Sequence, residues 1–163
     1  MIRCMMKNKR LITARVILTV LTVAAVAAIF YNSSLDADTS TEQSSPLVMW
    51  INQFLCSFNC PFNVTERFIR KAAHFTEYSI LGALLSVTFY LYLKKRSRIL
   101  MTALPTGALV AVCDELIQLF PAGRFCQVSD MVLDFCGVLF STLIVILIIS
   151  LSEKRKARRK VLP

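Results

Sequence analysis

The sequence predicts an all-α protein: a bundle of four transmembrane helices with an extra short interfacial helix in the first extracytoplasmic loop. Three observations predict it. Of 163 residues, 56% are hydrophobic and 18% charged, and mean hydropathy is +0.61. A soluble domain of this length cannot bury that much apolar side chain. The apolar residues also gather into four runs, at about 11–31, 72–93, 99–120 and 131–151. Each is close to the ~20 residues that a helix needs to cross a ~30 Å hydrocarbon core. Finally, the charges are segregated between the runs rather than spread through them. In lipid the backbone must satisfy its own hydrogen bonds, which makes each run a helix.

The first run follows Arg3, Lys7, Lys9, Arg10 and Arg15. Its basic start and "AAVAA" fit a signal peptide in part, but the run is long and no clear cleavage site follows, so it reads as an uncleaved span. The loop 32–71 comes next. "SSLDADTSTEQSSP" is polar and reads as a flexible linker. In "LVMWINQFLCSFN", Trp50, Phe54 and Phe58 recur every four residues, a helical face too short to span and suited to the outer leaflet, or to a lid on the bundle. Pro61 ends it. Asn63 is the expected cap of the next helix, from about residue 64, with Glu66 as its capping-box partner. "NVT" at 63–65 is also a glycosylation sequon, which matters only in a eukaryotic secretory pathway.

The second span runs into Lys94, Lys95, Arg96 and Arg98. The third and fourth follow, and a basic tail, 152–163, carries Lys154, Arg155, Lys156, Arg158, Arg159 and Lys160. With four crossings these basic regions and the N-terminal flank share one side, leaving Arg67, Arg70, Lys71 and Arg124 on the other. The positive-inside rule then makes both termini cytoplasmic. The formal net charge of +9 is thereby a topology signal, and no nucleic acid is expected; the expected partner is the lipid bilayer. Of the cysteines, Cys113 and Cys136 read as packing residues within spans. Cys56, Cys60 and Cys126 face outside, where a disulfide from Cys126 to either of the others is possible. Two thiols four apart are too few for a metal site, and the sequence assigns no metal and no cofactor.

The spans are not wholly apolar. Lys71, the only histidine His74, Glu77 and Tyr78 form one stripe at the start of the second. Asp114, Glu115 and Gln118 close the third, with Arg124 just beyond, and Asp130 and Asp134 open the fourth. With ~1.5 Å rise per residue, Asp114 lies ~10 Å below the outer end, with Glu77 and Asp134 at similar or shallower depth. Carboxylates are costly against lipid, so these groups should face one another. They could simply clamp the helices together. As a set, however, the carboxylates outnumber their nearby cations, leaving a pocket that needs protons, a cationic ligand or a metal.

"RKAAHFTEYSILGALL" and "DELIQLFPAGRFCQVSDMVLDFCGVLFS" resemble the VanZ-like family of bacterial membrane proteins. Its K-x-x-H-x-x-E-Y, D-E-x-x-Q and D-x-x-x-D-x-x-G patterns are matched by Lys71, His74, Glu77, Tyr78, Asp114, Glu115, Gln118, Asp130, Asp134 and Gly137, with Pro121 and Arg124 between the last two. No departure occurs at these positions. The resemblance implies a single VanZ-like domain over 1–163 in the bacterial plasma membrane. It also implies a link to resistance against teicoplanin, a glycopeptide antibiotic acting at the cell envelope, since the family's founding member confers it. It does not imply a reaction. Three readings stay open. A binding module would hold an envelope lipid, a peptidoglycan precursor or the antibiotic, with Lys71 and Arg124 on anionic groups. A small enzyme would use His74 and Glu77 as acid and base, with Asp114, Glu115 and Asp134 as further catalytic candidates. A proton-coupled exporter needs ionisable groups across the whole membrane, and the inner halves hold none.

Overall fold

The computed structural model describes residues 2–59 and 61–161; for 2–7, 160 and 161 it describes the backbone alone. Five helices follow in order: α1 (Ile2–Ser33), α2 (Ala37–Ser57), α3 (Glu66–Leu93), α4 (Arg96–Ile117) and α5 (Val128–Val161). No strand occurs among the described residues, so the all-α expectation holds. Three segments are long and apolar enough to cross a membrane: Asn8–Ser33, Arg96–Ile117 and Val128–Arg159. This is a membrane protein. α3 has comparable length, 28 residues, but interleaves Tyr78, Ser86 and Thr88 with its apolar residues and is not among the three.

Those polar residues of α3 are all buried, because α3 is the central helix. It packs against α1, α4 and α5, and α2 lies against its N-terminal part. Thr88 meets Thr22 of α1 at 3.1 Å and Ser86 donates to Thr142 of α5 at 3.0 Å, so the polar side chains pair between helices. Around them Leu81, Leu85, Ile99, Ala103 and Val138 form the core. Large apolar side chains of α1, α4 and α5 point outward, among them Val20, Val23, Leu109 and Leu147. Lipid offers no hydrophobic drive between helices, so packing must come from close approach. Gly82 and Gly137 provide it between α3 and α5: a Cβ on Gly137 would lie 2.7 Å from the Phe75 carbonyl oxygen, and one on Gly82 2.8 Å from the Val138 backbone.

Contacts fix the helix directions. Near the start of α1, Arg15 donates to the carbonyl of Leu91, late in α3, at 2.9 Å and lies over the Tyr92 ring at 4.9 Å. Near its end, Asn32 donates to Glu77, early in α3, at 2.8 Å. α1 and α3 are therefore antiparallel. Two residues, 94–95, turn α3 into α4, with Lys94 left-handed (φ 53°) and its N–H on the Tyr90 carbonyl. At that end Arg96 pairs with Glu153 of α5 at 3.2 Å. The opposite end gathers the end of α1, the start of α3, the end of α4 and the start of α5.

Several local expectations need correction. The polar linker is helical: α2 begins at Ala37, capped by Asp36, which accepts from the Thr39 N–H at 2.8 Å, and continues through Pro46 to the aromatic face. Its serines find local acceptors, Ser45 on the Thr41 carbonyl at 2.8 Å, so polarity here does not mean disorder. Trp50 stacks on Phe54 at 5.9 Å, Phe58 meets Phe54 at a tilt at 5.0 Å, and all three are exposed. The cap of α3 is Thr65, not Asn63, and Glu66 instead accepts from Ser45. α4 stops at Ile117, three residues early, which leaves Asp114 about 4.5 Å from the helix end rather than ~10 Å. α5 absorbs most of the basic tail. Cys136 is exposed rather than packed, and Cys113 is half-buried. Cys56 and Cys126 are free thiols, and Cys60 lies outside the described residues.

Candidate functional site

Each of the four long helices carries polar residues to this end. α1 ends without a basic residue in its last turn. Arg124, from the loop after α4, supplies one in trans, donating to the carbonyls of Asn32 (3.4 Å) and Ser33 (3.2 Å). A cation at a helix C-terminus satisfies orphan carbonyls and meets the negative end of the dipole. The same loop is tied to α2 by the Ala37 N–H on the Ala122 carbonyl, at 3.2 Å.

The acidic residues then take different partners. Asp114 and Glu115, about 100° apart on α4, are both fully buried. Glu115 turns to the loop and accepts from the Gln127 N–H at 2.8 Å, holding the entry to α5. Asp114 turns to α3 and α5. There His74 Nδ1 stands 3.9 Å from Asp114 Oδ2 and 3.7 Å from Asp134 Oδ1. Glu77 leaves that trio for Asn32. Lys71 and Asp130 pair at 2.7 Å nearer the surface. Tyr78 and Gln118 stand beside Asp114, both buried.

All ten sequence-predicted residues are therefore at one end of the bundle, but His74, Asp114 and Asp134 form its centre while Lys71, Glu77, Glu115, Arg124 and Asp130 are engaged around it. Two cavities open on either side of the centre, of about 220 and 290 Å³, sharing Arg70, His74 and Arg124. Burial and the nearby Arg70 hold the Arg124 guanidinium below its ordinary range. Two adjacent guanidiniums make an anion-accepting surface. Arg67 and Lys71 extend it in the larger cavity.

The sequence reading missed Arg70 as a site residue, although it sits one turn before His74 on the same helical face. It also missed Asn32 and Ser33, which it assigned to the loop 32–71. Their signal was polarity at the very end of an apolar run.

A family model described as VanZ/LLP1 matches residues 18–149. The chain belongs to the VanZ/LLP1 family. The match contains every residue of the cluster and stops before the basic end of α5. No curated protein and no solved structure matches this VanZ/LLP1 chain.

Proposed function

We propose that this VanZ/LLP1 protein is a four-span plasma-membrane protein, a single VanZ-like domain with both termini cytoplasmic. Its polar end faces outward and binds the anionic head group of an envelope lipid or peptidoglycan precursor. The observation that carries this reading is the pair of cavities sharing Arg70, His74 and Arg124 at the bundle end. Arg70 forms no ion pair or side-chain hydrogen bond among the described residues, so its charge is available to a ligand. α2, with its exposed Trp50, Phe54 and Phe58, would lie in the outer interface beside the entrance. Sequestering such a precursor, or the glycopeptide itself, is how the protein would contribute to teicoplanin-type resistance.

Native mass spectrometry of detergent-extracted protein tests the reading. The wild type should retain a polyprenyl-phosphate or polyprenyl-diphosphate lipid. Arg70→Ala should bind it roughly ten- to a hundredfold more weakly, the loss of a charge-assisted hydrogen bond of ~1.5–3 kcal/mol. An identical lipid profile in wild type and an Arg67→Ala, Arg70→Ala double variant would sink it.

A second reading is a small enzyme acting on that head group, favoured by an imidazole within 4 Å of two buried carboxylates. Product formation from the lipid in liposomes, lost in His74→Ala, would replace binding with catalysis.

A further inference from the structure

His74, Asp114 and Asp134 come from three different helices, α3, α4 and α5, and each offers one ligand atom within 4.8 Å of the other two. Asp114 and Asp134 are 0% exposed. All four of their carboxylate oxygens, and His74 Nδ1, lack a hydrogen-bond partner among the described residues. So do two neighbours of the trio, the Tyr78 hydroxyl and the Gln118 amide nitrogen. A buried carboxylate with no partner costs several kcal/mol, and two side by side cost more through repulsion. The surrounding cations do not cover that cost: Arg124 is spent on the α1 carbonyls and Lys71 on Asp130, and Arg70 pairs with neither Asp114 nor Asp134 among the described residues.

We propose that His74, Asp114 and Asp134 hold one divalent transition-metal ion of the zinc or manganese class. Metal–N and metal–O bonds of about 2.1 Å at a tetrahedral angle place donors ~3.4 Å apart. The two His74–carboxylate separations, 3.7 and 3.9 Å, are within about half an ångström of that spacing, and with all three ligand atoms inside 4.8 Å the two carboxylates would close on the ion as it binds. An ammonium group hydrogen-bonded at about 2.8 Å would hold its acceptors ~4.6 Å apart, a poorer fit to the two His74 separations. The imidazole nitrogen selects against Ca²⁺ and Mg²⁺, which take oxygen donors. With an ion bound, Tyr78 and Gln118, which stand beside Asp114 with unused donors, would supply outer hydrogen bonds to it. His74 remains 24% exposed and lines both cavities, which puts the site beside the Arg70–Arg124 surface. If the head-group reading also holds, a phosphate oxygen would complete the coordination; the metal site itself does not depend on it.

The test is metal content of the full chain, purified in detergent, chelated, reloaded with Zn²⁺ or Mn²⁺ and desalted. About one ion per chain is expected, with a raised unfolding temperature. An Asp114→Asn, Asp134→Asn double variant and His74→Ala should fall to background, while Asp130→Asn and Glu77→Gln keep the ion. Tyr78→Phe should weaken Zn²⁺ affinity about tenfold. Because a ligand variant could misfold, Co²⁺ loading of the wild type gives a direct readout: visible bands of nitrogen–oxygen coordination are expected, free of thiolate charge transfer. No bound ion in the wild type, thiolate bands, or saturation by Mg²⁺ alone at matched concentration would each overturn the site. Retained metal with no lipid bound would leave this site standing and remove the head-group reading only.

Discussion

Single side chains at the polar end separate into those that hold helices together and those that are free to act. Glu77 accepts one hydrogen bond from Asn32 through Oε1. Glu77→Gln preserves that acceptor, so thermal unfolding should shift by less than ~1 kcal/mol in stability. A larger fall would mean that the negative charge, not the bond, matters to the bundle. Lys71 and Asp130 are partly exposed, at 41% and 25%, and such pairs contribute ~0–1 kcal/mol. Lys71→Met should leave yield and thermal stability unchanged; weaker lipid retention in this variant would then report on the anion surface alone. Much of this was legible in the sequence. The three- and four-residue spacing of Lys71, His74, Glu77 and Tyr78 put them on one face, and the high cost of carboxylates in lipid required Asp134 and either Asp114 or Glu115 to meet that face. Which carboxylate went where was not legible. Glu115 reaches Gln127 only because the loop 118–127 folds back over α4, and loop paths leave no periodic signal.

Among the elements, the length of the apolar runs located α1, α4 and α5, while limits and polar segments misled. A run of Ser, Thr, Asp, Glu and Gln signals neither helix nor coil strongly; a capping aspartate, and packing on α3, decided α2. Asp36 is held below the usual carboxylate range by its bonds to Thr39, as an N-cap should be. Asp36→Ala should reduce amide-exchange protection in the first turns of α2, and the full cost, ~0.5–2 kcal/mol in other caps, should not reach the four long helices. The α3–α5 seam is the opposite case. Gly137 faces the Phe75 carbonyl so closely that any side chain must push the helices apart. His74 and Asp134 straddle that seam, one on each helix. Gly137→Leu should therefore lower yield and thermal stability and, in whatever protein survives, abolish ligand and metal binding together. Intact binding in Gly137→Leu would show that the trio does not need this helix spacing.

For the whole molecule, helix direction and charge bear on the number of crossings. α1 and α4 both run from the Arg15–Arg96 end toward the Asn32–Asp114 end, and α3 alone returns the chain between them. Its 28 residues span about 42 Å, enough to cross any bilayer core. Its Tyr78, Ser86 and Thr88 are turned inward, so its lower hydropathy does not expose polar groups to lipid. We therefore propose α3 as the fourth span, which puts residues 94–98 and the basic end of α5 together in the cytoplasm. Two positions tell this from three crossings by α1, α4 and α5 alone. Cys126 is a free thiol in the loop after α4, and Ser97 is exposed in the first turn of α4. In chains carrying a single cysteine, four crossings predict that a membrane-impermeant maleimide labels Cys126 in intact cells. A Ser97→Cys chain should react only after lysis. Three crossings with a cytoplasmic N-terminus reverse both results, because the chain would then still be outside at 97 and inside at 126. Labelling of Ser97→Cys in intact cells would overturn the four-span topology. If Cys126 were protected as well, the trio of His74, Asp114 and Asp134 would face the cytoplasm, and an envelope head group could not reach it.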